Sequence, residues 1–575
     1  MSIAAVTLAA AATAAATRAA RVGDEPLPRL GTNLDSVNDW GTMLPFADLF
    51  KTSRPWISGN AATFEWDDGR PLDLDAEGWV RSLLPNQIAR TLMLVDDTTL
   101  EVGSGRWVVR YEGTGTLQYV HGATVISQSP GRDLIEVHPM AGGGIFMNLV
   151  ATDPEDPLRR IRVLREEHAD LASPPRFAPA FLERVASYRV VRFMEWARSN
   201  DTDLASWADR PTPSDARWSG REGVPLEVMI DLADEICAEP WFCVPHLADE
   251  AFISEMATLI HERLAPGRRV WVEHSNEVWN GIFPQAAHAQ AEGLAQNLSD
   301  DPWQAAWRWH SRRSVRIFEI FAEVFGDERP LVRTMGGFVA VPWGNEQALA
   351  FEDAHLVTDA LAIAPYFGGE WGGDERVEET RAMDAAELLA AIRAESLPWA
   401  IEMSGQNRTL AQGFGVELVA YEGGHHLAAP QLPASDPVHD LFHEVVRHPE
   451  MGEIYGDFLA AWDDLGGGTF VNFTFCGRFS HFGAWSVLEW ITQPTTPREA
   501  ALLAHAGGET VSPCGVPCPA DLDGNGIVAG ADLGQMLIAW GPVVDGAIAA
   551  DLDGDGVVGG ADLGQLLLAW GMCPR

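Results

Sequence analysis

Residues 270–280 read Val270-Trp-Val-Glu-His-Ser-Asn-Glu-Val-Trp-Asn280. Val270 to His274 is a short run of strand-forming residues, and the chain then turns polar through Ser275, Asn276 and Glu277. Runs of the same kind recur on both sides of it: Arg189 to Met194, Trp241 to Leu247, Pro330 to Met335, Leu361 to Tyr366, Glu417 to Tyr421 and Thr469 to Phe475. Longer helical stretches separate them, so from about Phe177 to Ala506 the rhythm is the βα repeat of a parallel sheet or barrel. Leu30 to Asp35 supplies one more strand ahead of this region. Eight parallel strands with intervening helices predict the α/β class and a (β/α)8 TIM barrel, with an open doubly wound sheet as the alternative.

The stretch from about Arg106 to Val163 has a different rhythm, with short apolar runs between Gly, Pro and Ser turns such as Gly113-Thr-Gly115 and Ser129-Pro-Gly131. Turns at such short, regular intervals predict an antiparallel β-sandwich, inserted between the first and second barrel strands. The expected organisation is therefore a first barrel strand and helix over 24–60 and the sandwich over 61–170. The rest of the barrel follows over 171–510, and a separate module over 514–575. No cluster of ionisable residues in the sandwich suggests chemistry, so its expected role is structural or accessory.

Barrel enzymes carry their catalytic groups at the C-terminal ends of strands. There the chain offers Arg192 after strand two, His246 after strand three, Asn276 and Glu277 after strand four, Tyr366 after strand six and Glu422 after strand seven. A glutamate after a strand is commonly a solvated or helix-capping group, and taken singly none of these is specific. Two carboxyl groups facing each other across a barrel mouth, however, are what glycoside hydrolysis needs: one to protonate the leaving oxygen, one to attack or to activate water. If strand boundaries slip, Glu195, Asp249, Glu250, Glu402 or Glu489 could take either part.

Asn276-Glu277 at the end of strand four with Glu422 at the end of strand seven resembles the clan A glycoside hydrolases, the "4/7" barrel superfamily, over about residues 28–505. The resemblance implies that Glu277 is the acid/base and Glu422 the nucleophile of a retaining mechanism. It further implies that Asn276 binds a substrate 2-hydroxyl and that Arg192 and Tyr366 hydrogen-bond the nucleophile. On physical grounds Arg192 beside Glu422 would keep that carboxylate ionised at neutral pH, while Glu277 needs an apolar pocket, which Trp279 could supply, to retain its proton. Trp196, Trp343, Trp371 and Trp485 are candidate sugar platforms, Trp485 being preferred for its place shortly after strand eight.

At the other end of the chain Asp521-Leu-Asp523-Gly-Asn525-Gly-Ile527-Val-Ala-Gly-Ala-Asp532 recurs as Asp551-Leu-Asp553-Gly-Asp555-Gly-Val557-Val-Gly-Gly-Ala-Asp562. Both copies have calcium-loop spacing: oxygen ligands at positions 1, 3, 5 and 12, a backbone carbonyl at 7 (Ile527, Val557) and glycine at 6. One amphipathic helix follows each loop, marked by Leu533, Met536, Leu537 and Trp540 and again by Leu563, Leu566, Leu567 and Trp570. The duplicated loop-helix resembles a dockerin over about residues 519–571, which implies two structural Ca2+ ions and a cohesin-like or cell-surface partner. Catalysis itself calls for no cofactor. Because the two helices are nearly alike, a docking face on one would exist on the other.

Composition sets the remaining bounds. With 82 acidic against 40 basic side chains the net charge is −42 over 575 residues, a field that repels nucleic acid and anionic lipid. Lys51 is the sole lysine, which leaves Schiff-base and Walker-loop chemistry almost no place to sit. The 22 tryptophans against 6 tyrosines hint weakly at sugar stacking. Ala-rich residues 3–16 resemble a secretory h-region and cleavage site too short to span a bilayer, although no Lys or Arg precedes them. The expected signal segment is 1–23, and six cysteines, three of them bracketing the tail, agree with a secreted or cell-surface protein. A disulfide from Cys573 to Cys514 or Cys518 would close the tail module. Two functions follow: a secreted retaining hydrolase of a β-linked polysaccharide or oligosaccharide, or a catalytically silent carbohydrate-binding or surface-assembly protein on the same barrel.

Overall fold

The structure, a computed structural model, describes residues 26–95, 100–138, 144–171, 173–200, 202–220, 223–507, 519–522, 527–543, 550–553 and 556–572. The expected signal segment lies outside them, as do Cys514, Cys518 and Cys573 and the expected calcium ligands Asp523, Asn525 and Asp555.

Eight strands close into a parallel barrel: β1 (Leu30–Asn33), β2 (Val190–Arg192), β3 (Glu239–Val244), β4 (Val270–His274), β5 (Leu331–Gly336), β6 (Ala360–Ile363), β7 (Glu417–Ala420) and β8 (Phe470–Asn472). Each pairs with the next, and β8 closes on β1 through Leu30–Phe470, Gly31–Val471 and Thr32–Asn472. The strands are buried on both sides, by the barrel interior and by the outer helices, and such strands read as unbroken apolar runs. All five residues of β4 are buried. Register fixes which side chains share a face. Asn33, Arg192 and Trp241 pair in turn across β1, β2 and β3, and Trp241 pairs with Trp271 on β4, where the two indoles stack at 4.8 Å. Glu273, two residues beyond Trp271, falls on the same face and pairs with Cys243.

Between β1 and β2 the chain forms two four-stranded antiparallel sheets whose strands run from Ile57 to Arg165. One hydrophobic cluster draws on both, with Met93, Leu117, Ile145 and Met147 from one sheet and Trp107, Val109, Ile135 and Val163 from the other. The helix expected directly after the first strand is absent. Residues 34–56 hold only the 3-10 turn Leu49–Thr52, and the helix Pro179–Val185 that leads into β2 comes after the sheets. Pro45 and Pro55 flank that turn, and proline ends a helix on its N-terminal side. Among the described residues no helix is long and apolar enough to cross a membrane.

The described part of the tail holds two helices, Gly530–Ile538 and Gly560–Leu568. The short strands beside them exchange partners: Ile527–Val528 pairs with Gly571–Met572, and Gly541–Pro542 with Val557–Val558. Met536, Leu566, Val528 and Val558 form its small core.

Gly31 lies where β1 packs tightly between β2 and β8: a Cβ there would lie 2.8 Å from the Val190 carbonyl oxygen and 3.0 Å from Val471 Cγ2. Gly31→Ala should therefore destabilise the chain by about 1–3 kcal/mol, the usual cost of overpacking. A lower midpoint in thermal or urea unfolding is expected, and an unchanged midpoint would show that β1 and β2 part without cost.

Candidate active site

Arg192 is fully buried at the end of β2, and a guanidinium has five N–H groups to satisfy. Each meets an acceptor. Nε donates to Glu273 Oε2 at 3.0 Å, and Nη2 to Glu273 Oε1 at 3.1 Å and to Asn276 Oδ1 at 2.8 Å. Nη1 donates to Asn33 Oδ1 at 3.1 Å and to Glu422 Oε1 at 2.8 Å. The second oxygen of Glu422 accepts from the Tyr366 hydroxyl at 2.9 Å. Tyr366 reaches it because Tyr366–Phe367 leaves the barrel ladder and pairs with Gly424–His425, drawing the tails of β6 and β7 together.

Glu277 comes from the loop after β4, where Ser275 and Glu277 both adopt left-handed backbone, φ 56° and 41°. Such conformations cost energy in residues with a Cβ and cluster at functional sites. The Glu277 carboxyl accepts from Asn280 Nδ2 at 2.8 Å and from the Tyr421 hydroxyl at 3.3 Å. Tyr421 joins the two halves of the site, since its ring also lies under the Arg192 guanidinium at 4.8 Å.

Three carboxyls, Glu273, Glu277 and Glu422, thus surround one cation. Burial pushes all three upward, and Glu422 reaches about 8. The sequence suggested that Arg192 would keep Glu422 ionised at neutral pH. Arg192 does pull it down, as does Tyr366, but burial is the larger effect and nearby Glu277 adds to it. One positive charge shared among three buried carboxyls cannot hold them all ionised, so the site retains a proton at neutral pH.

The structure brings Arg192, Asn276, Glu277, Tyr366 and Glu422 into one network. Asn276 is anchored from both ends, accepting from Arg192 and donating to Asn200 Oδ1 at 3.0 Å. Trp485 is half-buried beside it, 6.0 Å from the Tyr366 ring and 4.4 Å from His426. His246 is not among them. It is buried next to His288, ring centroids 5.5 Å apart, in a side pocket with Trp309 and Arg313, and burial lowers its imidazole to about 4. Proximity to a strand end did not aim this side chain at the mouth.

Trp279 stacks on Trp307 at 5.4 Å and meets the edge of Tyr421, so it backs the Glu277 carboxyl through Tyr421. Trp196 and Trp371 are core, and Trp343 is exposed on the helix Pro342–Ala350. The other acids have structural partners: Asp249 caps the helix Glu250–Arg263, Glu250 pairs with Arg316, Glu402 bonds Gln406 and Glu489 pairs with Arg447. Asn33, Glu273, Asn280 and Tyr421 were missed. For Glu273 the signal was present, since a carboxylate within a buried strand demands a partner.

In the tail, carboxylate oxygens of Asp551, Asp553 and Asp562 lie within 4.8 Å of one another. Asp551 Oδ1 is buried without a partner, while its Oδ2 accepts from Gly556 N at 3.0 Å. An orphaned carboxylate oxygen on one of three clustered acids fits a hard cation. Asp562 also binds the loop backbone at Leu552 N and Gly559 N, and Asp532 does the same at Leu522 N and Ala529 N. Among the cysteines, Cys237 is in a disulfide, whereas Cys243 and Cys476 are free and buried.

No protein-family model and no curated protein matches the sequence. Among solved structures, similarity is found to a GH51 arabinofuranosidase from Xanthomonas axonopodis pv. citri, with TM-score 0.38, 11% identity, and coverage of 59% of this chain and 68% of that one. A family 51 α-L-arabinofuranosidase from Bifidobacterium longum gives 0.37 and 9%, covering 57% and 66%. An endo-β-1,4-mannanase from Thermotoga petrophila gives 0.32 and 11%, covering 57% and 72%.

Proposed function

We propose that this chain is a retaining glycoside hydrolase acting on a β-linked polysaccharide or oligosaccharide, secreted or held at the cell surface, and tethered through a calcium-dependent dockerin-like tail. The observation that carries the catalytic reading is that one buried guanidinium hydrogen-bonds both Glu422 and Asn276, the neighbour of Glu277. That contact orients one carboxyl and the loop bearing the other toward the same space.

Glu422 touches the cation and Glu277 does not; with one proton on the coupled pair, the reactive arrangement is the one with the charge on Glu422 and the proton on Glu277. In the first step Glu422 attacks the anomeric carbon. The glycosidic bond breaks, and the leaving oxygen takes the proton of Glu277. In the second step Glu277, now ionised, removes a proton from water, whose oxygen displaces Glu422 and regenerates both groups. Tyr366 donates to Glu422 in its ionised form, and half-buried Trp485 offers a flat face beside it for a sugar ring.

Calcium would be held in the second loop by Asp551, Asp553 and Asp562, with the first loop built alike. It would tie loop to helix and supply no chemistry. The helices and the tryptophans just beyond their ends expose matching apolar residues: Leu537, Ile538 and Trp540 are 54%, 88% and 48% exposed, and Leu567, Leu568 and Trp570 are 53%, 91% and 49% exposed. This duplication supports a docking face on each helix for a cohesin-like or cell-surface partner.

Glu277→Gln and Glu422→Gln should each lower turnover of a β-glycan by at least about 10³-fold with an unchanged melting profile, since each removes an essential carboxyl. Full activity in either variant would falsify the assignment, and binding without turnover by the parent chain would favour the silent carbohydrate-binding protein. In a pH series, kcat/KM should fall above about pH 8, where the last proton shared by Glu277 and Glu422 is lost, since burial, with Glu277 adding to it, lifts Glu422 to about 8. A profile flat to pH 10 would contradict the shared-proton account. Chelation should raise amide exchange across residues 550–572 while the barrel keeps its protection, and Ca2+ should restore it. Equal exchange with and without Ca2+ would remove the metal from the tail.

A further inference from the structure

We propose that Glu273 is the positioning residue of this site: its carboxylate seats Arg192 through two hydrogen bonds and divides the guanidinium's charge with Glu422, which is thereby held in place without being over-stabilised. The proposal rests on the hydrolase reading above and goes beyond it in naming what sets the geometry and basicity of the attacking group.

Glu273 is the fourth of five buried residues in β4, where a carboxylate without partners would be costly. Both of its oxygens are engaged. Oε1 accepts from Arg192 Nη2, and Oε2 accepts from Arg192 Nε and from Trp241 Nε1 at 2.9 Å, with the Cys243 thiol at 3.8 Å. So placed, Glu273 acts through Arg192 rather than on a substrate. A guanidinium is a rigid fork, so clamping its Nε and Nη2 side fixes where Nη1 points, namely at Asn33 and Glu422.

The titratable groups that face Glu422 are Arg192 from β2, Glu277 from the loop after β4, Tyr366 from the tail of β6 and Tyr421 beside it in sequence. Those that face Glu273 are Arg192, Cys243 from β3 and Tyr421, which faces both carboxyls. Arg192 is the only cation in this set, and two carboxylates draw on it directly. Were Glu273 neutral, the whole charge would act on Glu422 and make it a weaker base.

The test compares Glu273→Gln with Glu273→Asp in the full chain, reading kcat, KM and the pH midpoint of Glu422. The midpoint comes from 13C NMR of glutamate-labelled protein, with the Glu422 signal assigned by its loss in Glu422→Gln. Gln keeps an acceptor and removes the charge, so the Glu422 midpoint and both limbs of the pH profile should move down by about one unit. Asp keeps the charge and cannot reach the fork as well, so the midpoint should stay while kcat falls by about 10- to 100-fold with KM little changed. A Glu422 midpoint unmoved in folded Glu273→Gln overturns the proposal. If that variant does not fold, wild-type kcat in Glu273→Asp overturns it instead. Since the midpoint is read without substrate, these outcomes are separate from failure of the hydrolase reading, which would show as undiminished turnover in Glu422→Gln.

Discussion

A buried arginine must be matched donor for donor, and in this barrel that requirement falls on Arg192. Its five N–H groups collect Asn33 from β1, Glu273 and Asn276 from β4 and its loop, and Glu422 from the end of β7. Asn33 passes the constraint on, donating to the Tyr421 carbonyl at 3.0 Å. Removing any one acceptor would leave a buried donor unpaired, and removing Arg192 would leave two buried carboxylates facing each other. The register of four strands and the aim of the candidate catalytic pair are therefore one problem with one solution. Burial lifts both Glu273 and Glu422 above the ordinary carboxylate range, and a single cation divided between them does not bring either fully back.

How much of this is legible in the chain differs by element. All eight strands were, because a strand buried on both sides is an apolar run and little else. Val270–His274 has the expected bounds, while Thr469 to Phe475 shrinks to Phe470–Asn472 and Leu361 to Tyr366 to Ala360–Ile363. The C-terminal residues were lost from the ladder for a common reason: they turn inward or sideways to build the mouth, as Tyr366 does in pairing with Gly424. Arg192, Asn276, Glu277, Tyr366 and Glu422 were found by position plus residue type, and the structure gathers them. His246 met the same criterion and went elsewhere. Asn33 looked like an ordinary strand residue, and the purpose of Glu273 shows only when β2 is set beside β4.

The tail shows the opposite balance. Its loops carry the oxygen spacing that a hard cation would require, and of the proposed ligands the structure clusters Asp551, Asp553 and Asp562. The helical pattern was less informative, for Leu537 and Trp540 share a periodic stripe with Met536 yet remain outside the core it enters. A stripe wider than the core it serves leaves apolar surface over, and here the surplus occurs twice in equivalent places.

The central claim is that Arg192 presents Glu422 as the group that attacks. The most direct measurement is peptide mapping by mass spectrometry after the full chain has reacted with a panel of 2-deoxy-2-fluoro-β-glycosides bearing a good leaving group, which slow release of a covalent sugar. The account expects a single glycosyl adduct, located on Glu422. An adduct on any other carboxyl, or turnover that yields the inverted anomer and no adduct, would contradict it.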